Sequence, residues 1–212
     1  MKSPLPHILF ALLPLVSLAD ETVFEEADGV VRFEAEATKS RLGNWAMKTK
    51  VPGFQGDGYL EFTGNTTTNG PADSPLSYQF RIHKSGLYFL HLRCAREKVG
   101  DRNDLANDGY VRLEGDFGPG PNPGDSHGDD APLAMLKKNT KFFGGDDKRF
   151  VWASGNRLDP GGHNNKRVAV YSLKAGETYT LILSGRSQLC KVDEILFRHE
   201  DVAKKVAEAK KK

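Results

Sequence analysis

Two segments near the ends of this 212-residue chain alternate acidic and apolar residues, and they constrain the fold more than any other feature. The first covers residues 31–37 and contains Glu34 and Glu36, and the second covers residues 190–197 and contains Asp193. This alternation predicts β-strands, because successive side chains of a strand project to opposite faces. Carboxylates inside apolar strands are costly to bury unless they are paired or metal-bound. If the two strands are neighbours, their carboxylates share a hard cation and close one β-sandwich.

Between these segments the chain repeats short alternating or apolar runs separated by glycine-bearing turns. Strands are predicted at residues 58–63, 77–82, 87–95, 109–113, 149–152, 167–173 and 178–183. This many short strands with almost no helical periodicity predict an all-β fold, a two-sheet antiparallel β-sandwich of the jelly-roll type. The long polar segments at residues 96–108 and 115–147 are predicted to be loops.

The chain ends carry two further predictions about domain organisation. Residues 1–19 have the charged start, apolar run and small final residues of a signal peptide, with cleavage after Ala19. The apolar run is too short to span a bilayer, so we predict no membrane span and a secreted or periplasmic protein. A single jelly-roll domain is expected over residues 20–199. Residues 200–212 form a basic tail, either a short frayed helix or a disordered end.

Cys94 and Cys190 are the two cysteines of the chain, and each lies in an apolar strand pattern. In an oxidising compartment an even number of cysteines suggests a disulfide. Two buried free thiols are the alternative, and the sequence does not choose between them.

Charge and motifs argue against several functional classes. The formal net charge is +2, which gives no electrostatic reason to expect nucleic acid binding. The sequence contains neither a Gly-x-Ser-x-Gly elbow nor a His-Glu-x-x-His motif. His127 lies among Asp125, Asp129 and Asp130, but their spacing matches no metal motif, and aspartates of glycine- and proline-rich segments usually form turns. We therefore predict that the chain is not an enzyme.

Five motifs follow one another in register: Phe33–Ala37, Gly56–Leu60, Gly86–Ala95, Leu173–Leu181 and Val192–Ile195. In this order they resemble the carbohydrate-binding modules of families 6 and 35, over roughly residues 30–199. The resemblance implies a galactose-binding-like jelly roll. It also implies a structural Ca²⁺ between the first and last strands and a sugar site in the loops at one end.

The calcium ligands that the resemblance implies are Glu36 and Asp193, with Glu34 as a further candidate. Carboxylate and carbonyl oxygens are the ligands that calcium prefers. The alternative is that the two glutamates face water on an exposed sheet, which strand alternation alone permits.

A sugar offers apolar C–H faces and hydroxyl groups, so its sites combine an aromatic ring with Asn, Asp and Arg side chains. The candidates are Trp152, Tyr110, Asn107, Asp108, Arg93, Arg186 and Asn156. Arg93 and Arg186 would suit an acidic sugar through bidentate contacts. Core packing is the alternative for Trp152 and for Trp45, and a structural role is the alternative for the arginines.

The predicted function is that of a secreted, non-catalytic carbohydrate-binding protein that recognises a polysaccharide or glycan and holds a structural calcium. One alternative is a secreted structural or adhesion domain that keeps the fold without sugar affinity. The other is a small jelly-roll polysaccharide lyase or glycoside hydrolase.

Overall fold

A computed structural model describes residues 22–120, 133–153, 155–157 and 166–209, with the backbone alone for residues 155–157 and 166–167. The predicted signal peptide and the acidic segment around His127 lie outside these residues, as does the side chain of Asn156. Within the described part, no helix is both long and apolar enough to cross a membrane.

Strands dominate the described residues. They are β1 (Val23–Glu25), β2 (Val30–Glu34), β3 (Trp45–Lys48), β4 (Tyr59–Phe62), β5 (Asp73–Arg81), β6 (Gly86–Arg96), β7 (Asp108–Glu114), β8 (Gly118–Pro119), β9 (Thr140–Phe143), β10 (Asp146–Asp147), β11 (Val151–Ala153), β12 (Gly155–Arg157), β13 (Lys166–Arg167), β14 (Val170–Leu173), β15 (Thr178–Gly185) and β16 (Lys191–His199). The helices are a 3₁₀ turn (Ala35–Ala37), α1 (Leu133–Leu136) and α2 (Lys204–Ala207).

The strands form two sheets that face each other across one core. A seven-stranded sheet has the order β1-β5-β15-β7-β9-β12-β13. A nine-stranded sheet has the order β3-β4-β16-β6-β14-β8, with β2 also paired to β16, and with β10 and β11 paired to β6. In β5 the alternation places Leu76, Tyr78 and Phe80 in the core, where Phe80 stacks on Phe197 of the opposite sheet. The predicted all-β sandwich is confirmed.

The first and last predicted strands are neighbours, as the sequence pattern suggests. β2 pairs antiparallel with β16, and Phe33 lies opposite Ile195. The prediction of a strand over residues 31–37 is wrong in its second half, because β2 ends at Glu34 and a 3₁₀ turn follows. This turn is fixed by the core, since the Tyr78 hydroxyl donates to the carbonyl of Ala35 at 2.7 Å.

The predicted loop over residues 115–147 contains regular structure in the parts that are described, residues 115–120 and 133–147. Its described parts contain β8, α1, β9 and β10. In β9 Thr140 and Phe142 are buried while Lys141 and Phe143 are partly exposed, and β9 pairs with both β7 and β12. The loop prediction is therefore wrong for these residues, and β9 brings Lys141 beside the start of β7.

The start of the basic tail packs on the nine-stranded sheet. Arg32 donates to the carbonyl of Ala207, and Arg198 donates to the carbonyl of Val202 at 2.8 Å. Beneath this segment His91 is 2% exposed, and its Nδ1 lies 3.6 Å from Glu208 Oε1. Residues 204–207 thus form a short helix that covers part of the sheet.

Cys94 and Cys190 are both buried free thiols. Cys94 lies opposite Val192 in the β6–β16 pairing, so Cys190 is its diagonal neighbour. Diagonal pairs are about 7–8 Å apart, beyond the usual Cα separation of a disulfide. Burial raises the pKa of both thiols, that of Cys190 to about 12. In the structure the two cysteines are therefore buried free thiols, as in the second of the two alternatives.

Candidate ligand-binding site

A cavity of about 410 Å³ opens at the loop end of the sandwich, where β7 begins and β15 ends. Its wall contains Asn107, Asp108 and Arg186, three of the residues that the sequence singles out. They come together because β7 and β15 are paired neighbours, and Gly109 lies opposite Gly185. The irregular segment before β7 completes one side of the cavity.

Asp108 organises this cavity. Its side chain is 5% exposed, and its Oδ2 accepts a hydrogen bond from Arg186 Nη1 and lies 3.0 Å from Lys141 Nζ. In the amide orientation that satisfies its neighbours, Asn107 donates to Asp108 Oδ1 and to the carbonyl of Asp104, each at 3.1 Å. A buried carboxylate with this many donors is held in one position, so it fixes the two cations beside it.

Arg186 is further held by the seven-stranded sheet and a neighbouring loop. Its Nη1 donates to the carbonyl of Thr68 at 3.1 Å. Its guanidinium carbon lies 5.9 Å from the ring centroid of Tyr110, whose hydroxyl donates to the carbonyl of Gly70 at 3.1 Å. Tyr110 therefore supports Arg186, and its ring supplies a cation–π contact.

The remaining wall combines an ion pair with apolar surface. Arg102 donates through Nε and Nη2 to the two carboxylate oxygens of Asp104, at 2.9 and 2.6 Å. Leu105 and Phe143 supply apolar surface. A few convergent polar groups beside apolar side chains are typical of small-molecule sites. Sequence reasoning missed Lys141 and Phe143 because it took their strand for a loop.

Trp152 and Arg93 lie elsewhere, on the nine-stranded sheet. They are opposite each other in the β6–β11 pairing, and the guanidinium of Arg32 lies 5.5 Å from the Trp152 ring centroid. Arg93 pairs with Asp193 and donates to the carbonyl of Gly53 at 2.7 Å. Neither residue lines the cavity at Asp108. Trp45 belongs to the core, with 3% exposure.

A second cavity of about 240 Å³ lies beside β4 and the start of β16. Lys191 on its wall is 1% exposed, with Nζ 3.1 Å from Glu97 Oε2, 3.2 Å from Glu61 Oε2 and 3.0 Å from the carbonyl of Leu189. The three N–H donors of this ammonium are thereby engaged. The ammonium of Lys191 is therefore satisfied by the protein itself.

The predicted metal ligands form a carboxylate cluster at the seam between β2 and β16. Glu34 lies opposite Glu194, and a register shift between Val192 and Glu194 leaves the fully buried Asp193 at a bulge. Glu36 Oε1 accepts from the backbone N–H groups of Asp57 and Gly58, at 3.0 and 3.2 Å. The cluster thus gathers carboxylates from both ends of the chain.

Gly56 allows the glutamates to approach this closely. A Cβ at its position would lie 2.5 Å from Glu36 Oε1 and 3.0 Å from Glu34 Cγ, and its φ of +62° also favours glycine. Gly56 of the Gly-Asp-Gly motif therefore lets the backbone pack directly against the two glutamate side chains.

The electrostatics of the cluster are those of crowded carboxylates. Burial, followed by the charges of Glu194, Asp193 and Glu36, raises the pKa of Glu34 to about 8. Burial raises the pKa of Asp193 to about 6, although the Gln55 N–H and Arg93 oppose the shift.

Two observations bear on a metal at this cluster. Among the described residues, no group of three or more His, Cys, Asp or Glu side chains has an arrangement that would hold an ion. However, Oε2 of Glu34 and Oε2 of Glu36 are buried without a hydrogen-bond partner. Orphaned buried oxygens crowded by like charge are chemically suited to a hard cation.

Comparisons with known proteins concern the fold. No protein-family model and no curated protein sequence matches the chain. A GH26-CBM35 β-(1,4)-mannanase of Podospora anserina is similar in structure, with a TM-score of 0.51 and 16% identity over 84% of this chain and 29% of that one. This likeness shows the fold. The predicted jelly-roll sandwich is thus confirmed as an architecture, and the chain spans less than a third of the mannanase.

Two shorter structures are matched over almost their whole length. A CBM35 from Paenibacillus barcinonensis has 18% identity and a TM-score of 0.44, over 80% of this chain and 98% of that one. A family 35 carbohydrate-binding module from Clostridium thermocellum has 16% identity and a TM-score of 0.45, over 79% and 96% respectively.

Proposed function

We propose that the chain is a non-catalytic carbohydrate-binding module whose glycan site is the cavity at Asp108. The observation that carries this proposal is the convergence of Asn107, Asp108 and Arg186 on one cavity of about 410 Å³ at the loop end. The sequence motifs that resemble families 6 and 35 support it. The mannanase with the similar fold also carries a CBM35 in its name.

The cavity offers the groups that a sugar requires. Arg186 and Lys141 are donors for hydroxyl oxygens, and the Asn107 amide oxygen and the Asp104 carboxylate are acceptors. Leu105 and Phe143 give apolar surface for C–H faces. Because Asp108 anchors these groups through a buried ion pair, the site is held in position before a ligand arrives, which lowers the entropic cost of binding.

The same geometry supports a non-catalytic role. A general acid or base needs a carboxyl group that can exchange a proton with the substrate. Asp108 is the buried carboxylate of this wall, and two cations and Ser187 surround its Oδ2. Its Oδ2 is therefore engaged in positioning Arg186 and Lys141.

We also propose that the carboxylate cluster holds a structural Ca²⁺, with Glu34, Glu36 and Asp193 as ligands. The unpartnered oxygens of both glutamates and the raised pKa of Glu34 support this assignment. The ion would neutralise the crowded carboxylates and join the first strand to the last. Secretion, predicted from residues 1–19, is part of the same proposal.

The test of the glycan site is an array screen of the purified protein, with three variants beside the wild type. Arg186→Ala should lose binding to any glycan that the wild type retains. Arg112→Ala is the matched control, because Arg112 lies on β7 and pairs with Glu114, outside the cavity wall. Trp152→Ala tests the nine-stranded sheet as the rival location.

Three outcomes would contradict the proposal. Absence of binding to every glycan would favour a structural or adhesion domain. Loss of binding in Trp152→Ala but not in Arg186→Ala would move the site to the other sheet. Release of oligosaccharide products from a polysaccharide panel would indicate an enzyme.

A further inference from the structure

We infer that Arg93 is an internal counter-ion of the carboxylate cluster and competes with the bound cation for Asp193. It thereby sets how tightly the cluster holds a metal, and it favours a divalent over a trivalent ion. This inference rests on the proposed structural Ca²⁺ and concerns the regulation of that site. It does not involve the cavity at Asp108.

Asp193 differs from the two glutamates of the cluster in the partners of its carboxylate. Its Oδ1 accepts a hydrogen bond from the backbone N–H of Gln55 at 3.0 Å, and its Oδ2 accepts one from Arg93 Nη1. Within the described part of the chain, Oε2 of Glu34 and Oε2 of Glu36 are buried and have no such partner. A cation that binds all three carboxylates therefore meets a guanidinium at one of them.

Arg93 is fixed beside Asp193 by further contacts. Its Nη2 donates to the carbonyl of Gly53 at 2.7 Å, and its Nε lies 3.7 Å from Glu194 Oε2. Its guanidinium carbon lies 5.5 Å from the ring centroid of Phe150. The side chain is 14% exposed, so water screens its charge less than that of a surface arginine. Arg93 therefore acts on the cluster as a positive charge in a defined place.

The charges of the cluster leave room for one divalent ion. Four carboxylates and two guanidinium groups meet there, namely those of Glu34, Glu36, Asp193, Glu194, Arg32 and Arg93. Arg93 pairs with Asp193, and Arg32 Nη1 lies 3.7 Å from Glu194 Oε1. When all four carboxylates are ionised, two negative charges remain uncompensated. A divalent cation balances them, and without Arg93 three would remain.

Loss of the Arg93 charge should therefore strengthen metal binding. A cation and a guanidinium that share a poorly hydrated cluster repel each other, and this repulsion opposes the metal. In the metal-free protein the same guanidinium is the partner of a fully buried carboxylate, whose exposure to no counter-charge would be costly. Arg93 thus stabilises the metal-free fold and lowers the affinity for the metal.

Lys191 on the same sheet provides an internal contrast. Its Nζ lies between Glu61 and Glu97, and Lys148 Nζ lies 3.9 Å from Glu97 Oε1. Two carboxylates there face two ammonium groups, so their charges cancel. We therefore expect no metal ion in the second cavity, although it also contains a pair of glutamates.

The experiment is a calorimetric titration of the purified protein with Ca²⁺ and, as a trivalent probe, with Tb³⁺. Arg93→Gln should bind Ca²⁺ about tenfold or more tightly than the wild type, because a nearby positive charge is removed. Its affinity for Tb³⁺ should increase by a larger factor than its affinity for Ca²⁺, since the repulsion that is relieved grows with the charge of the ion. A purely structural role of Arg93 would not shift this ratio.

Further variants assign the effect to charge. Arg93→Lys keeps a positive charge beside Asp193 and should bind Ca²⁺ more nearly as the wild type does. Arg32→Gln removes the second guanidinium and should change both affinities in the same direction as Arg93→Gln, which keeps the inference testable if Arg93→Gln does not fold. Arg81→Gln is the matched control, because Arg81 forms an exposed pair with Glu25 on the other sheet. It should leave both affinities unchanged.

A folded Arg93→Gln variant that binds Ca²⁺ no more tightly than the wild type, or that keeps the wild-type ratio of Tb³⁺ to Ca²⁺ affinity, would overturn the inference and leave the calcium proposal standing. If Arg93→Gln does not fold, the same result for Arg32→Gln would overturn it. A wild-type protein that binds no Ca²⁺ would remove the calcium proposal and the inference with it.

Discussion

Arg186 donates through Nη1 to Oδ2 of Asp108, and this contact joins the end of β15 to the start of β7. The two residues are far apart in sequence, so the pairing of the two strands creates the contact. Lys141 of β9 reaches the same oxygen at 3.0 Å. Three adjacent strands of the seven-stranded sheet thus meet at one carboxylate.

Replacement of Asp108 tests this arrangement. Asp108→Ala leaves two poorly exposed cations without their carboxylate, and it should lower the free energy of unfolding by about 3 kcal/mol. Urea denaturation measures the change. Asp116→Ala, which breaks an exposed pair with Lys174, should have no measurable effect. Equal stabilities of the two variants would show that Asp108 does not organise the site.

Calcium should stabilise the fold through the cluster at β2 and β16. A ligand that binds only the folded state adds about 2.7 kcal/mol at a hundred times its dissociation constant. The melting temperature should therefore rise with Ca²⁺ and fall with EDTA, as followed by calorimetry. Asp193→Ala should remove the response, and Asp147→Ala, which changes a carboxylate outside the cluster, should retain it. A melting temperature of the wild type that does not change when EDTA is added would contradict the calcium assignment.

Binding of calcium should also release a proton. Without metal, the pKa of Glu34 is about 8, so this carboxyl group is protonated at pH 7 and must ionise to become a ligand. Stability of the metal-free protein should fall as pH rises from about 4.5 to 8, because the unfolded chain ionises Glu34 earlier. Calorimetry in buffers of different ionisation enthalpy should report about one proton released per ion at pH 7. Glu34→Gln should release none, and an unchanged proton count in that variant would show that another group ionises.

His91 should make the protein sensitive to acid. Burial, then the charges of Arg198 and Lys204, lowers its pKa from 6.5 to about 3, and within the described part of the chain neither ring nitrogen has a hydrogen-bond partner. Below about pH 6.5 the unfolded chain binds a proton at this histidine, whereas the folded protein keeps it neutral down to about pH 3, so the free energy of unfolding falls as pH drops through this range. With calcium saturating, the wild type should lose on the order of 2 kcal/mol more than His91→Gln between pH 7 and pH 5.

Hydrogen exchange locates this acid effect. Exchange of the α2 amides should accelerate at pH 5 in the wild type more than in His91→Gln, after correction for the intrinsic rate. The reason is that opening of the C-terminal segment lets His91 become protonated in water. Parallel pH profiles for the two proteins would exclude His91 as the source.

The sequence pattern was sufficient for the fold and for the seam between its ends. Alternation over residues 31–37 and 190–197 predicts two strands, and the pairing of β2 with β16 is observed. It could not predict the bulge at Asp193, because a bulge depends on the register of two neighbouring strands. The predicted strand over residues 31–37 ran past the end of β2, because the 3₁₀ turn is held by a hydrogen bond to Tyr78, a residue distant in sequence.

The candidate site could be predicted only in part. Asn107 and Asp108 lie at the start of a strand that is visible in the sequence. Arg186 lies directly after the end of another such strand. Trp152 also lies where a predicted strand meets a loop, but it belongs to the other sheet. The sequence pattern does not show which sheet such a residue joins. Lys141 was missed because β9 has four residues and depends on β7 and β12 for its stability.

The most direct measurement of the central claim is a titration of isotope-labelled protein with the tightest glycan, followed by NMR. The account predicts the largest shifts at the backbone amides of Asn107, Asp108, Lys141 and Arg186, and little change at Lys191 or Trp152. Shifts concentrated at Trp152 and Arg93, or around Lys191, with none at Asp108 would contradict it.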